Sequence, residues 1–84
     1  MNNKVLVEIS LPASGDKFDV FIPLEMKMYE VLKLVSGALS DLSDGKYKAT
    51  DEAVLCDADT GIIFNINMEI AELGIKTGSR LLLI

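Results

Sequence analysis

The sequence contains no histidine and only one cysteine among its 84 residues. The lack of histidine excludes Ser–His and Cys–His catalysis, histidine-ligated metal sites and the commonest general base at neutral pH. The single cysteine, Cys56, cannot form an intramolecular disulfide, which favours a reducing compartment. We therefore expect a cytoplasmic protein that is not an enzyme and that holds neither a metal nor a cofactor.

Long apolar runs and an excess of positive charge are also missing. No run approaches the ~20 residues that a membrane helix needs, and the N-terminus lacks a signal-peptide pattern. The net charge of -5 disfavours binding to nucleic-acid phosphates and to anionic membrane surfaces. Hydrophobic residues make up 50% of the chain, which is enough to build the core of one domain over residues 1–84.

Two runs near the N-terminus alternate between apolar and polar residues, which is typical of half-buried strands. In the run Lys4–Leu11, one face carries Val5, Val7, Ile9 and Leu11. In the run Lys17–Ile22, one face carries Phe18, Val20 and Ile22. The turn residues between them, with Gly15 free to adopt positive φ, predict a hairpin, and Pro23 ends its second strand.

The next segment has a helical period. A helix over Lys27–Leu42 places an apolar stripe on one face, formed by Met28, Val31, Leu32, Val35, Ala38, Leu39 and Leu42. After a polar connection over Lys46–Glu52, the runs Ala53–Cys56 and Ile62–Ile66 flank a turn and predict a second hairpin. A Gly-containing turn then leads to a last apolar strand, Arg80–Ile84.

This element order, together with three local patterns, resembles the ubiquitin-like β-grasp superfamily. The patterns are Ile22-Pro23 before the helix, Met28-x-x-Val31-x-x-x-Val35 on the helix, and Ile70-x-x-Leu73-Gly74-Ile75-x-x-Gly78-x-x-Leu81-x-Leu83 at the end. The resemblance implies an α+β fold in which one helix packs across a mixed sheet of about five strands (β-β-α-β-β-β). In length and pattern the chain is most similar to the YukD/EsaB group, the accessory proteins of Gram-positive type VII secretion systems.

The resemblance implies a non-conjugated adaptor that docks to membrane-bound secretion machinery, most directly to the cytoplasmic parts of its ATPase. Conjugated ubiquitin and the sulfur carriers of this fold extend to a flexible Gly-Gly carboxylate, whereas this sequence ends on a strand at Ile84. The alternative is a sulfur or modifier carrier truncated before such a tail. The intact mass of the full-length gene product would decide between the two.

The outer face of the predicted sheet is the candidate protein-binding surface. We expect it to present Leu6, Phe21, Leu55, Leu82 and Ile84 as neighbouring apolar groups, a cluster typical of a protein contact. A homodimer that covers this face or pairs through a strand edge is a further alternative. Cys56 is expected to be an inert core thiol, and the residues after it lack the glycine and glutamate positions of a calcium loop.

Overall fold

The computed structural model describes residues 3–48 and 52–84. Within these ranges the chain forms strand β1 (Lys4–Leu11), strand β2 (Asp16–Pro23), helix α1 (Met28–Leu42), strand β3 (Leu55–Asp57), a 3₁₀ turn (Ala71–Leu73) and strand β4 (Arg80–Leu83). The prediction of a connection over Lys46–Glu52 lies partly outside the described residues, since 49–51 are not among them.

The four strands form one mixed sheet in the order β2-β1-β4-β3. The predicted hairpin is confirmed: β1 and β2 are antiparallel and stay in register from the pair of Lys4 and Pro23 to the pair of Leu11 and Asp16. Strand β4 is parallel to β1 and antiparallel to β3. Because β1 and β4 are both interior strands, the inward side chains of Ile9 and Leu81 are fully buried, as expected from the alternation.

Helix α1 packs across one face of this sheet. It begins one residue later than predicted, because Lys27 is the N-cap and its backbone N–H is bonded by the side chain of Glu30 (3.2 Å). The helix buries Met28, Val31, Val35 and Leu39 against the sheet. These spacings of three and four residues are the ones that place side chains on one helical face.

The predicted helix stripe is wrong in part. Ala38 and Leu42 are exposed, and Leu32 is only partly buried. Ala38 and Leu32 lie at the two edges of the stripe, and Leu42 is the last residue of the helix. Ser36, which the hydrophobic pattern excludes, is buried instead. It can be buried because its Oγ forms a 3.0 Å hydrogen bond with the hydroxyl of Tyr47, itself a core residue.

The second predicted hairpin is confirmed only in part: residues 62–64 turn back antiparallel on β3, but they do not form a fifth strand, and the described residues contain four strands. Strand β3 spans only Leu55–Asp57, and the segment 62–66 contacts it through a single bridge between Cys56 and Ile63. Beyond Phe64 the backbone turns away from β3 toward the start of the helix. The amide groups of Met28 and Tyr29 donate to the carbonyls of Met68 (2.9 Å) and Ile66 (3.0 Å).

The first N–H groups of a helix have no partner inside the helix, so these loop carbonyls satisfy donors that would otherwise be unpaired. A side-chain bond fixes the turn that presents them, because Asn65 Oδ1 accepts from the backbone N–H of Asn67 (2.9 Å). The apolar run 62–66 therefore does not continue along β3 as a strand, and the carbonyl of Ile66 accepts from the start of helix α1 instead.

Candidate docking surface

Alternation along the strands places one set of side chains on the sheet face opposite the helix. On β1 this outer face carries Leu6, Glu8 and Ser10, and the register pairs Leu6 with Phe21 of β2. On β4 it carries Arg80 and Leu82, and Leu82 lies between Ser10 of β1 and Cys56 of β3. The strand order therefore places Leu6, Phe21 and Leu82 on the same face, but their spacing along the strands separates them into groups.

The predicted residues form two separate groups. Leu6 and Phe21 are a cross-strand pair at one end of the sheet, where Phe21 remains 65% exposed. Leu82 and Ile84 lie toward the other end, because the parallel register aligns Glu8 with Arg80. Six residues of strand separate the levels of Leu6 and Ile84, which amounts to about 20 Å. One compact contact cannot be centred on all of these side chains.

Leu55 does not lie on the outer face, so that part of the prediction is wrong. The register pairs Leu55 with Leu83, whose side chain points toward the helix, and Leu55 is 2% exposed within the core. The outward residue of β3 beside Leu82 is Cys56. The sequence prediction placed the strand one residue out of phase, and a shift of one residue exchanges the two faces.

Three apolar residues that the sequence prediction missed complete the group around Leu82. Val54 exchanges two backbone hydrogen bonds with Ile84 (2.8 and 3.0 Å), which places both side chains on the outer face. Ile63 joins them through its bridge to Cys56 and is 58% exposed. We call this group the β3–β4 patch: Val54, Cys56, Ile63, Leu82 and Ile84. The sequence signal that could have found them is the alternation of residues 54–57, if Val54 and Cys56 are assigned to the outer face.

A polar row separates the β3–β4 patch from the pair of Leu6 and Phe21. Glu8 lies between Asp19 of β2 and Arg80 of β4. Arg80 also forms an ion pair with Asp59, and both side chains are largely exposed. A pair this open to water stabilises the fold by at most about 1 kcal/mol. The row therefore adds little to the stability of the fold, and its main contribution is to place charged groups at the border of the patch.

Cys56 is the buried member of the patch. It is 3% exposed, and its Sγ donates a weak hydrogen bond to the Leu82 carbonyl (3.8 Å). Burial raises the pKa of the Cys56 thiol, and the nearby Asp57 carboxylate raises it further. Since the thiolate is the reactive form, this thiol is poorly suited to act as a nucleophile. In this surface the Cys56 side chain acts as a small apolar group.

Neither a metal site nor a membrane span emerges from the described part of the chain. No group of three or more metal-ligating side chains comes together in residues 3–48 and 52–84. Likewise, none of the helical structure seen there has both the length and the apolar character required to cross a bilayer.

Comparison with known proteins gives matches in structure but not in sequence. No protein-family model matches the chain, and no curated protein matches it. The ubiquitin-like domain of EccD1, a type VII secretion system protein of Mycobacterium tuberculosis, superposes with a TM-score of 0.75 at 14% identity, covering 96% of this chain and 97% of that one. The N-terminal ubiquitin-like domain of the 4931431F19Rik protein gives 0.75 at 21% identity, covering 100% and 76%.

A third match lies in a much longer protein, a chain of the MycP5-free ESX-5 inner membrane complex in state II. It superposes with a TM-score of 0.71 at 22% identity over 98% of this chain. The present chain spans only 21% of that protein's length. Together the superpositions define the class: the chain has a ubiquitin-like fold, with one helix packed on a mixed four-stranded sheet.

Proposed function

We propose that this chain is a non-enzymatic ubiquitin-like docking module of a type VII secretion apparatus, acting in the cytoplasm through its β3–β4 patch. The observation that carries the proposal is the position of Ile63 and Ile84, which are 58% and 56% exposed on one sheet face. Single exposed apolar residues are common, but a contiguous group on a regular sheet face is typical of protein contacts.

The patch has the layout of a small protein interface. Its apolar centre, formed by Leu82 with Ile63 and Ile84, is bordered by the exposed polar groups of Arg80 and Asp59. Full burial of a wholly exposed isoleucine side chain contributes about 1.5–3 kcal/mol. Covering the exposed half of Ile63 and of Ile84 therefore supplies a part of the free energy of a micromolar affinity. Backbone pairing positions these side chains before a partner arrives: Leu82 lies in β4, Ile84 is hydrogen-bonded to Val54, and Ile63 is bridged to Cys56. Such preorganisation lowers the entropic cost of binding.

The secretion assignment rests on likeness of fold. One structural neighbour is named as a type VII secretion system protein, and another belongs to an inner membrane complex. The proposed partner is accordingly a membrane-bound secretion component, and its ATPase is the first to test. The chain would contribute a recognition surface that regulates assembly or export.

The direct test is binding of the purified cytoplasmic part of the secretion ATPase by isothermal titration calorimetry. Ile84→Arg and Leu82→Arg should each weaken binding tenfold or more, because a guanidinium would be desolvated in an apolar contact. Leu42→Arg is the matched control, since Leu42 is 58% exposed on the helix, away from the sheet. Equal affinities for Ile84→Arg and Leu42→Arg would refute the proposal.

A homodimer would also cover the β3–β4 patch. Light scattering over a dilution series separates this alternative from docking to another protein. If the chain is a dimer that Ile84→Arg converts to a monomer, the patch serves self-association. A monomeric chain that binds its partner through the same side chains supports the docking module.

A further inference from the structure

A second surface lies beyond the β3–β4 patch, where Leu6 of β1 pairs with Phe21 of β2 on the outer sheet face. Leu24 N donates to Asn3 O (2.8 Å), which makes Asn3 and Leu24 a hydrogen-bonded pair. Hydrogen-bonded and non-bonded pairs alternate along an antiparallel ladder, so Leu6 and Phe21 form a non-bonded pair, in which side chains lie closest. Phe21 is nevertheless 65% exposed, so the pair leaves most of this side chain in contact with solvent.

The segment that leads into β4 adds no side chain beside this apolar pair. The parallel register, continued back from Glu8 and Arg80, places Gly78 next to Leu6, and Gly78 N donates to Leu6 O (2.9 Å). A Cβ atom at Gly78 would meet no atom within 4 Å, so the space there is open. Leu6 N donates to Thr77 Oγ1 (3.2 Å), which holds this segment against β1. The apolar pair is therefore accessible from the β4 side.

Two carboxylates lie next to the apolar pair on the same face. Glu8 and Asp19 form the next non-bonded pair along the ladder, two residues away, which is about 7 Å along each strand. Within the described ranges, no hydrogen bond or ion pair involves either carboxylate. Arg80 lies beside Glu8 in the register but is paired with Asp59. Like charges directly opposite each other are destabilising, so an added cation would relieve a repulsion here.

An aromatic side chain beside two unpaired carboxylates is a combination that a guanidinium fits. Its flat face packs on an aromatic ring, and its N–H groups can donate to two carboxylate oxygens at once. A lysine ammonium offers a point charge without this planar fork, so it fits the arrangement less well. The net charge of -5 also favours a basic partner over a second copy of this chain.

We propose that Phe21, Glu8 and Asp19 bind an arginine side chain in a basic segment of a partner protein. The guanidinium packs on Phe21 and donates to the two carboxylates, while an apolar residue next to the arginine covers Leu6 beside Gly78. This surface differs from the β3–β4 patch in both position and chemistry. Either proposal can therefore fail without the other.

The test is a titration of the isotope-labelled 84-residue chain with a synthetic peptide that carries leucine-arginine between glycine-serine flanks. We expect amide shift changes centred on Leu6, Glu8, Asp19 and Phe21, and we expect binding to weaken as salt is added. Citrulline in place of arginine keeps the planar shape but removes the charge, and should abolish the changes. Lysine in place of arginine should weaken binding about threefold or more.

Matched variants of the chain separate the ring from the charge. Asp19→Asn should weaken peptide binding about threefold or more, because it removes one of the two carboxylates. Phe21→Leu keeps an apolar side chain and should weaken binding by about twofold to fivefold, since the cation–π contact is lost. Asp41→Asn is the control for the change in net charge, because Asp41 is an exposed carboxylate on helix α1, and this variant should bind normally.

A further variant separates this site from the β3–β4 patch. Ile84→Ser alters that patch and should leave peptide binding unchanged. Equal weakening by Asp19→Asn and Asp41→Asn would show non-specific charge attraction and would overturn the proposal. Unchanged affinity for the citrulline peptide, shifts confined to the β3–β4 patch, or no shifts at millimolar peptide would each overturn it as well.

Discussion

The β1–β2 hairpin and the segment 62–66 both carry closely spaced branched apolar side chains, but their structures differ. In the hairpin, Ile9 is fully buried, whereas Ile62 is 66% exposed. The difference teaches that an apolar run becomes a strand only when its backbone groups have a continuous partner strand.

The two segments differ in where their backbone hydrogen bonds go. Strand β1 has a partner on both sides, β2 and β4. The segment 62–66 bonds β3 only around Cys56, and the carbonyl of Ile66 accepts from Tyr29 at the start of helix α1. A helix start requires acceptors for its free N–H groups, and this demand takes precedence over a fifth strand.

The comparison is tested most strongly by truncating one isoleucine in each segment. Ile9→Ala should lower the free energy of unfolding by about 2–5 kcal/mol, because it opens a cavity in the core. Ile62→Ala should lower it by less than about 0.5 kcal/mol, since surface substitutions change little. Urea unfolding measures both. Comparable losses for the two variants would show that 62–66 is packed like a strand.

A smaller loss of stability is expected when the turn at 65–67, which lies next to the carbonyls bonded by the helix start, is weakened. Asn65→Ala removes the acceptor of the Asn67 N–H and should lower the free energy of unfolding by about 0.5–1.5 kcal/mol. Native-state hydrogen exchange should speed up at the amides of Met28 and Tyr29. If exchange instead speeds up only at Asp57 in β3, then the segment belongs to the sheet.

The smallest effect concerns the pH dependence of stability. The pKa of Cys56 is raised by burial and by the Asp57 carboxylate, so the folded state prefers the neutral thiol. The stabilisation is complete below the unfolded thiol's pKa of about 8.5 and is lost as the pH rises toward the higher folded pKa. Urea midpoints between pH 7.5 and 10 should therefore fall more steeply for the native chain than for Cys56→Ala. Parallel curves would contradict this.

The predictable parts of the fold are the strands and the helix in which the spacing of apolar residues along the sequence matches the buried face. The hairpin, the helix and the buried alternation of Leu81 and Leu83 are visible in the sequence because each faces one core. The burial of Ser36 was not predictable, since it depends on a hydroxyl partner eleven residues away. The missing fifth strand depends on the tertiary position of the helix start, which no local pattern contains.

The candidate site was predictable only to the level of a sheet face. Leu82 and Ile84 were correctly placed on the outer face because β4 follows a regular alternation. Leu55 was misplaced because a three-residue strand gives too little pattern to fix its phase. Ile63 entered the patch through a single bridge, which only the three-dimensional structure reveals.

The central claim, that the β3–β4 patch binds a secretion partner, is tested most directly by mapping the contact at residue resolution. The measurement is the change in amide shifts of the labelled chain when the cytoplasmic part of the secretion ATPase is added. The account predicts changes centred on Val54, Ile63, Leu82 and Ile84. A footprint confined to the exposed side of helix α1, or unchanged spectra at saturating partner, would contradict it.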